Sequence, residues 1–218
     1  MANAYYPIFA NLNGRRCVIV GGGLVAQRKV ITLLRFGARV KVVSPTVTKR
    51  LAAAVRRGAV THVARRFRSH DLQGAWLVYA ATDDHRINEL VFRTATRRRI
   101  LTNVVDQTPL CSFIAPSIVK RGDLVMAVST GGASPTLAKL LRRALERLVG
   151  RDYAAMARLL ESLRGVAKRA LPRYDDRKHY FSRLVSGQVF RLVRRGRPRD
   201  ARQAALKLLQ RLGTNGFS

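Results

Sequence analysis

Arg16-Cys17-Val18-Ile19-Val20-Gly21-Gly22-Gly23-Leu24-Val25-Ala26-Gln27-Arg28-Lys29 decides how the rest of the chain is read. Residues 17 to 20 are an apolar run with strand character, and from Val25 the apolar positions Val25, Ala26, Val30, Leu33 and Leu34 take helical spacing. Strand, glycine turn and helix therefore follow one another directly. The turn fits G-x-G-x-x-A: Gly21 makes the tight turn, Gly23 lets backbone approach a pyrophosphate, and Ala26 allows close helix–strand packing. Free N–H groups at the helix start would then face a phosphate. A structural turn could use the same glycines, but the flanking strand and helix favour a dinucleotide, with Gly21, Gly22, Gly23, Leu24 and Val25 as its contacts. The acid that would hold an adenosine ribose some 20 residues on is missing. The second strand ends instead in Ser44-Pro45-Thr46. Ser44 or Thr46 can reach a ribose hydroxyl, while Lys41, Lys49 and Arg50 can be read as a 2′-phosphate site, which leaves NAD and NADP both open.

The same rhythm continues outward. Arg39 to Ser44 reads as strand, Thr46 to Arg57 as helix stopped by Gly58, and Val60 to Ala64 as strand, giving βαβαβ and hence a parallel sheet with right-handed crossovers. Trp76 to Ala81 is a fourth buried strand ended by Thr82-Asp83-Asp84, with Thr82 and Asp83 counted among the cofactor contacts. Asp84 caps a helix from His85 to Arg98. Leu101 to Asp106 is a fifth strand, and Asp106 stands at its carboxyl end, where ligands of open α/β sheets bind. Ahead of the sheet, Tyr5 to Phe9 is an apolar lead-in expected to pack on it.

Past Asp106 the pattern changes. Ser112 to Val119 and Asp123 to Ser129 form two strands joined by Lys120-Arg121-Gly122 with no helix between them, an antiparallel hairpin. Ser134 and Pro135 then open a helix to Val149, with Leu137, Leu140, Leu141, Ala144, Leu145 and Leu148 as its apolar stripe. Arg151 to Ala170, Tyr174 to Val193 and Arg199 to Leu212 read as three further helices. The expected architecture is a Rossmann-type parallel sheet domain over 1–112, a small α+β segment over 113–150 and a basic helical domain over 151–218.

Composition bounds the function. A chain of 218 residues with 47% hydrophobic content can build a real core. Its 42 Lys+Arg against 12 Asp+Glu give a net charge of +30, which points to an anionic partner or substrate. Nucleic acid is not expected, because no helix-turn-helix, zinc-finger or RNP signature occurs and aromatics stand at only 7%. Two cysteines, Cys17 and Cys111, make no disulfide framework, which suits a reducing cytoplasm. No signal-peptide pattern and no long apolar span is present, so no membrane is expected.

With these residues in place the chain resembles the precorrin-2 dehydrogenase / sirohydrochlorin ferrochelatase family, which also forms the N-terminal module of siroheme synthase. The resemblance rests on Pro7-Ile8-Phe9, the stretch Val18 to Lys29, Ala80-Ala81-Thr82-Asp83-Asp84, Asn103-Val104-Val105-Asp106, Ser112-Phe113-Ile114 with Pro116-Ser117, and Ser129 to Pro135. It implies NAD-dependent oxidation of precorrin-2 to sirohydrochlorin, with insertion of Fe(II) to give siroheme in some members. It further implies a homodimer formed through the central segment, NAD contacts at Gly22 to Val25, Pro45 and Thr46, and catalysis by Asp106. The tail after residue 150 is more basic than the family pattern. Because the chain ends at Ser218, a separate uroporphyrinogen methyltransferase is expected to supply the substrate.

The residues themselves leave two roles for Asp106, a base for the proton lost on oxidation or an Asx-turn to Thr108, and the resemblance selects the first. Precorrin-2 carries eight carboxylates, for which Arg86, Arg97, Lys120 and Arg121 are candidate partners or simply solvated cations. Ser129, Thr130 and Gly131 either bind a substrate carboxylate or cap the following helix. His62, His70, His85 and His179 are scattered, so no metal ligand set is expected. The rival functions are an NAD-sensing regulatory domain and a basic nucleic-acid-binding protein.

Overall fold

The computed structural model describes residues 5–214. Strands β1 (Arg16–Val20), β2 (Arg39–Val43), β3 (Val60–Val63), β4 (Leu77–Ala80) and β5 (Leu101–Val104) form one parallel sheet in the order β3-β2-β1-β4-β5. Successive side chains point to opposite faces of a strand. Cys17 and Ile19 of β1 accordingly enter one core with Val40 and Val42, while Val18 and Val20 enter another with Val43 and Val78. Both faces need helical cover, which explains why β1 from Cys17 and β4 read as continuous apolar runs.

Helix α1 (Leu24–Arg35) supplies Ala26, Val30 and Leu33 to the first core, and α2 (Lys49–Arg56) supplies Leu51 and Ala54. Helix α3 (His85–Arg97) brings Val91 and Ala95 to the second. Truncating a fully buried residue such as Ile19 or Val78 would cost roughly 1–4 kcal/mol through lost transfer energy and the cavity left behind.

Several boundaries differ from the sequence expectation, each for a local reason. The second helix starts at Lys49 rather than Thr46, because the Thr48 hydroxyl accepts the Leu51 N–H at 3.3 Å and so caps it there. The fifth strand stops at Val104, two residues before Asp106. Ser112 and Phe113 are not in a strand, yet both are tied to β5: Ser112 Oγ accepts the Thr102 N–H at 2.8 Å and Asn103 Nδ2 donates to the Phe113 carbonyl at 2.9 Å. The lead-in does not pack on the sheet as expected. Tyr6, Ile8 and Phe9 are 87%, 65% and 74% exposed, since helices already cover both sheet faces and Leu12 takes the contact with the core.

The chain separates into two units, residues up to Ala115 with Gly131–Ala133, and Pro116–Thr130 with the segment from Ser134 onward. In the second, β6 (Ser117–Arg121) and β7 (Leu124–Val128) make the expected antiparallel hairpin, with its tight turn at Gly122-Asp123. Helix α4 (Pro135–Leu148) follows, then α5 (Arg151–Ala170), α6 (Tyr174–Ser186), α7 (Gln188–Arg194) and α8 (Pro198–Thr214). The expected single helix from Tyr174 to Val193 is two, broken at Gly187, where a side chain would run into the Arg183 carbonyl. Met156, Leu163, Leu184, Val193, Ala205 and Leu209 line the core of α5 to α8. Tyr180 is fully buried there, and its hydroxyl donates to the Ala205 carbonyl at 3.1 Å, so its one polar atom is satisfied.

Candidate functional site

The strand order reverses direction between β1 and β4, and ligands of open α/β sheets bind outside the carboxyl ends of the strands at such a switch point. Four loops meet along that edge: Gly21–Gly23 after β1, residues 44–48 after β2, residues 81–84 after β4 and Val105-Asp106 after β5. Three glycines stand there for three different reasons. Gly21 has φ +119°, donates to the Val43 carbonyl at 3.0 Å, and lies against the Ala81 carbonyl where a Cβ would go. Gly22 is packed against the Thr46 carbonyl in the same way, and its own carbonyl accepts the Thr48 N–H at 3.0 Å. Gly23 has open space around its missing Cβ and caps α1 without any side-chain bond. The first turn of α1 carries no acidic residue, so no carboxylate of its own first turn offsets the positive dipole end. Leu24 is exposed and Val25 half-buried beside them.

At the end of β2, Pro45 and Thr46 are exposed on this edge. Ser44, expected as a ribose contact, is buried; its N–H donates to the Val63 carbonyl at 3.2 Å, its carbonyl meets His62 Nε2 at 2.9 Å, and its Oγ sits beneath Gly22. Thr82 is similarly committed: its hydroxyl donates to Asn88 Oδ1 at 2.8 Å, while Asn88 Nδ2 returns a bond to the Thr82 carbonyl at 2.9 Å. Asp83 is exposed, and Asp84 caps α3 by accepting the Arg86 and Ile87 N–H groups at 3.0 and 3.2 Å.

Asp106 is exposed in a left-handed conformation, φ +60°. The residues on either side hold it: Val105 N–H donates to the Ala80 carbonyl at 2.9 Å and Gln107 N–H to the Val104 carbonyl at 3.2 Å. Only two non-glycine residues among those described take positive φ, the other being Arg99. Such a conformation costs a non-glycine residue energy and persists where the surroundings over-determine it. Gln107 Nε2 lies 2.8 Å from His85 Nδ1, which brings the start of α3 to the same corner.

Sequence reasoning left one residue of this region without a role. Lys29 lies three positions beyond Ala26, on the helix face that carries Ala26, Val30 and Leu33 into the core. Its Nζ sits 4.9 Å from the Tyr79 ring centroid. Burial lowers its pKa, against which the charges of Asp106 and Cys111 act to raise it. A cation on the buried stripe of an amphipathic helix was the available signal. Cys111 itself is half-buried, accepts the Val104 N–H at 3.3 Å, and has its thiol pKa pushed up by burial.

The remaining candidates belong to the hairpin and the loop before α4. Lys120 and Arg121 end β6. Thr130 Oγ1 accepts the Ser134 N–H at 3.0 Å and donates to the Ser134 carbonyl at 3.1 Å, and Ser134 Oγ accepts the Leu137 N–H at 3.1 Å. The loop's hydroxyls thus cap α4, one of its two expected roles. Among the described residues no group of three His, Cys, Asp or Glu side chains is arranged to hold a metal ion, and no helix is long and apolar enough to cross a membrane.

Comparison with known proteins gives this geometry its family. Residues 8–117 match an NAD(P)-binding family model, residues 121–148 the sirohaem biosynthesis protein central model, and residues 152–209 the sirohaem synthase dimerisation region. The chain belongs to the NAD(P)-binding family of the first model, and the two sirohaem models follow it in order along the chain. The siroheme synthase of Photobacterium profundum is 38% identical over 212 residues, covering 97% of this chain and 45% of that protein. That of Thioalkalivibrio sulfidiphilus is 43% identical over 206 residues, covering 94% and 42%. The chain thus spans less than half the length of the curated siroheme synthases it matches. The solved structure of SirC, precorrin-2 dehydrogenase, superposes with a TM-score of 0.74 at 25% identity, covering 93% of this chain and all of that one. The fold expected from the sequence, a Rossmann-type sheet followed by a hairpin-and-helix segment and a helical region, is the one observed.

Proposed function

We propose that this chain oxidises precorrin-2 to sirohydrochlorin with NAD as acceptor. The observation that carries this reading is the shared edge of the glycine turn and Asp106, in a chain that resembles a precorrin-2 dehydrogenase over 93% of its length. A bound nicotinamide supplies the acceptor for the hydride. The chain supplies the rest: Gly23 and the α1 N-terminus receive the pyrophosphate, Gly22, Leu24 and Val25 shape the wall, Pro45 and Thr46 meet the ribose, and Asp106 takes the proton. The step balances as loss of one hydride to the nicotinamide and one proton to the Asp106 carboxylate, leaving one new double bond in the tetrapyrrole. Ser44 and Thr82 act by holding the loops rather than by touching the cofactor, because Ser44 is packed beneath Gly22 and the Thr82 hydroxyl is bonded to Asn88.

NAD is preferred to NADP on the family resemblance, and the absence of an acid at the end of β2 is then a family trait. The positive surface suits a substrate with eight carboxylates, with Lys120, Arg121 and the loop of Ser129, Thr130 and Gly131 as its partners. Fe(II) enters only as a second substrate, inserted into sirohydrochlorin with Asp106 accepting pyrrole protons. A rate of iron insertion no greater than the spontaneous one, without NAD, would remove that second reaction. The free thiols Cys17 and Cys111 suit a cytoplasmic enzyme, and a uroporphyrinogen methyltransferase activity is what supplies precorrin-2.

The segment over 113–150 is assigned to a homodimer interface that it shares with residues 152–209, the part that matches the dimerisation region. Along α4 only Ala138 is buried, while Leu137, Leu140, Leu141 and Leu148 are exposed, which is the apolar stripe read from the sequence turned outward. The direct test of the function is binding: titration of the purified protein with NAD and NADP is expected to give the tighter constant for NAD, and no binding of either would sink the reading.

A further inference from the structure

Asp106 works as a base only while it is a carboxylate, and a tetrapyrrole lying over it would strip away the water that favours its charge. Lys29 is the cation built into this corner. Its helix delivers it on the core-facing stripe, and its ammonium is fixed on the face of Tyr79. No carboxylate among the described residues lies within ion-pairing distance of it. Tyr79 is in register with Asn103 of β5, and Ala80, the next residue, accepts the Val105 N–H, so the ring holding Lys29 belongs to the backbone that presents Asp106. Phe113 packs edge-on against the Tyr79 ring at 5.4 Å and closes the other side.

We propose that Lys29 is the counter-charge of Asp106, a positioning residue that keeps the carboxylate ionised when substrate covers the site. This rests on the reaction proposed above. Keeping a half-buried ammonium without an ion pair costs desolvation energy, and the charge of Asp106 offsets part of that cost. The other titratable or charged groups facing this corner are Cys111, the Tyr79 phenol, Arg28 on α1 and His85, which reaches it through Gln107. Cys111 and Tyr79 are both held protonated by burial, leaving Lys29 as the inward-facing cation.

The test is the pH dependence of kcat/KM for precorrin-2 in wild type, Lys29→Met and Lys29→Arg, repeated in a His85→Gln background so that His85 cannot contribute. Lys29→Met is expected to move the acid limb upward by roughly one pH unit or more, with about a tenfold loss of rate below it. Lys29→Arg, which keeps the charge, is expected to leave the limb in place. A raised KM with an unmoved limb would assign Lys29 to a substrate carboxylate and overturn the proposal, as would no change at all. Lys29→Gln serves if the methionine variant does not fold. Should the wild type fail to oxidise precorrin-2 at any pH, the reaction falls but Lys29 is still testable. Carboxyl-carbon NMR titration of Asp106 with sirohydrochlorin bound, in the wild type and Lys29→Met, then reads the same shift, and identical titrations overturn the proposal.

Discussion

Gly22 and Thr46 touch backbone to backbone: the carbonyl oxygen of Thr46 occupies the place where a Cβ on Gly22 would stand. Gly23, the next residue, has nothing within 4 Å of that position. Gly22→Ala is therefore expected to cost about 3 kcal/mol, because a backbone carbonyl cannot swing aside as a side chain would. Gly23→Ala, at φ −77° and ψ −170°, fits its backbone and is expected to leave the melting temperature almost unchanged. It should instead weaken nicotinamide dinucleotide binding by tenfold or more. Thermal melts and cofactor titrations of the two variants separate the packing glycine from the binding one; equal effects on both measurements would contradict the distinction.

Asp106 adopts a left-handed conformation that glycine takes without strain. Asp106→Gly is predicted to gain about 1 kcal/mol of stability, or about 2–4 °C in melting temperature, while abolishing precorrin-2 oxidation. Asp106→Asn keeps the shape and is predicted to lose the same activity with cofactor affinity intact. A stabilised yet active glycine variant would remove Asp106 from the reaction.

Asp71 is completely buried and is clamped by Arg65 at 2.8 Å, Lys41 at 3.2 Å and the Arg68 N–H at 2.8 Å. Burial works against its charge, but the bonds from Arg65, Arg68 and Lys41 prevail and hold its carboxyl well below the usual carboxylate range. The folded pKa lies below the ordinary value of 3.8, so the stabilisation is complete above that value and is lost as pH falls from there toward the folded pKa. Asp71→Asn is expected to destabilise the protein by about 3 kcal/mol at neutral pH and to flatten the acid side of the stability curve. Urea unfolding between pH 2 and pH 7 measures both.

The outward leucines of α4 predict a change of assembly rather than of fold. Leu140 and Leu148 are 59% and 70% exposed, so Leu140→Glu with Leu148→Glu removes no buried contact within the chain. Sedimentation is expected to find wild-type dimers and monomeric, folded variant. A variant that remains dimeric would place the interface elsewhere.

The sheet was legible because strand, glycine and helix followed one another with unambiguous periods, and because β1 from Cys17 and β4 are apolar on both faces. The break at Gly187 was not, since helical periodicity runs through it; the backbone there is extended, in a conformation where a Cβ would meet the Arg183 carbonyl and glycine alone fits. Packing of Tyr6, Ile8 and Phe9 was misread for a related reason: apolar content does not reveal whether a sheet face is still free. In the candidate site, the glycine turn and Asp106 could be placed from the strand ends. The packing of Ser44 beneath Gly22 and the bond from the Thr82 hydroxyl to Asn88 were not legible there, because the first joins two loops far apart in sequence and the second reaches into the following helix. Lys29 carried a signal, a charge on an apolar stripe, whose meaning depends on Tyr79, 50 residues away.

Anaerobic incubation of the purified chain with precorrin-2 and NAD, followed by absorbance, tests the central claim most directly. The account predicts that sirohydrochlorin and NADH appear in equal amounts, that both depend on protein concentration, and that neither forms with Asp106→Asn. Cofactor binding without either product would contradict it.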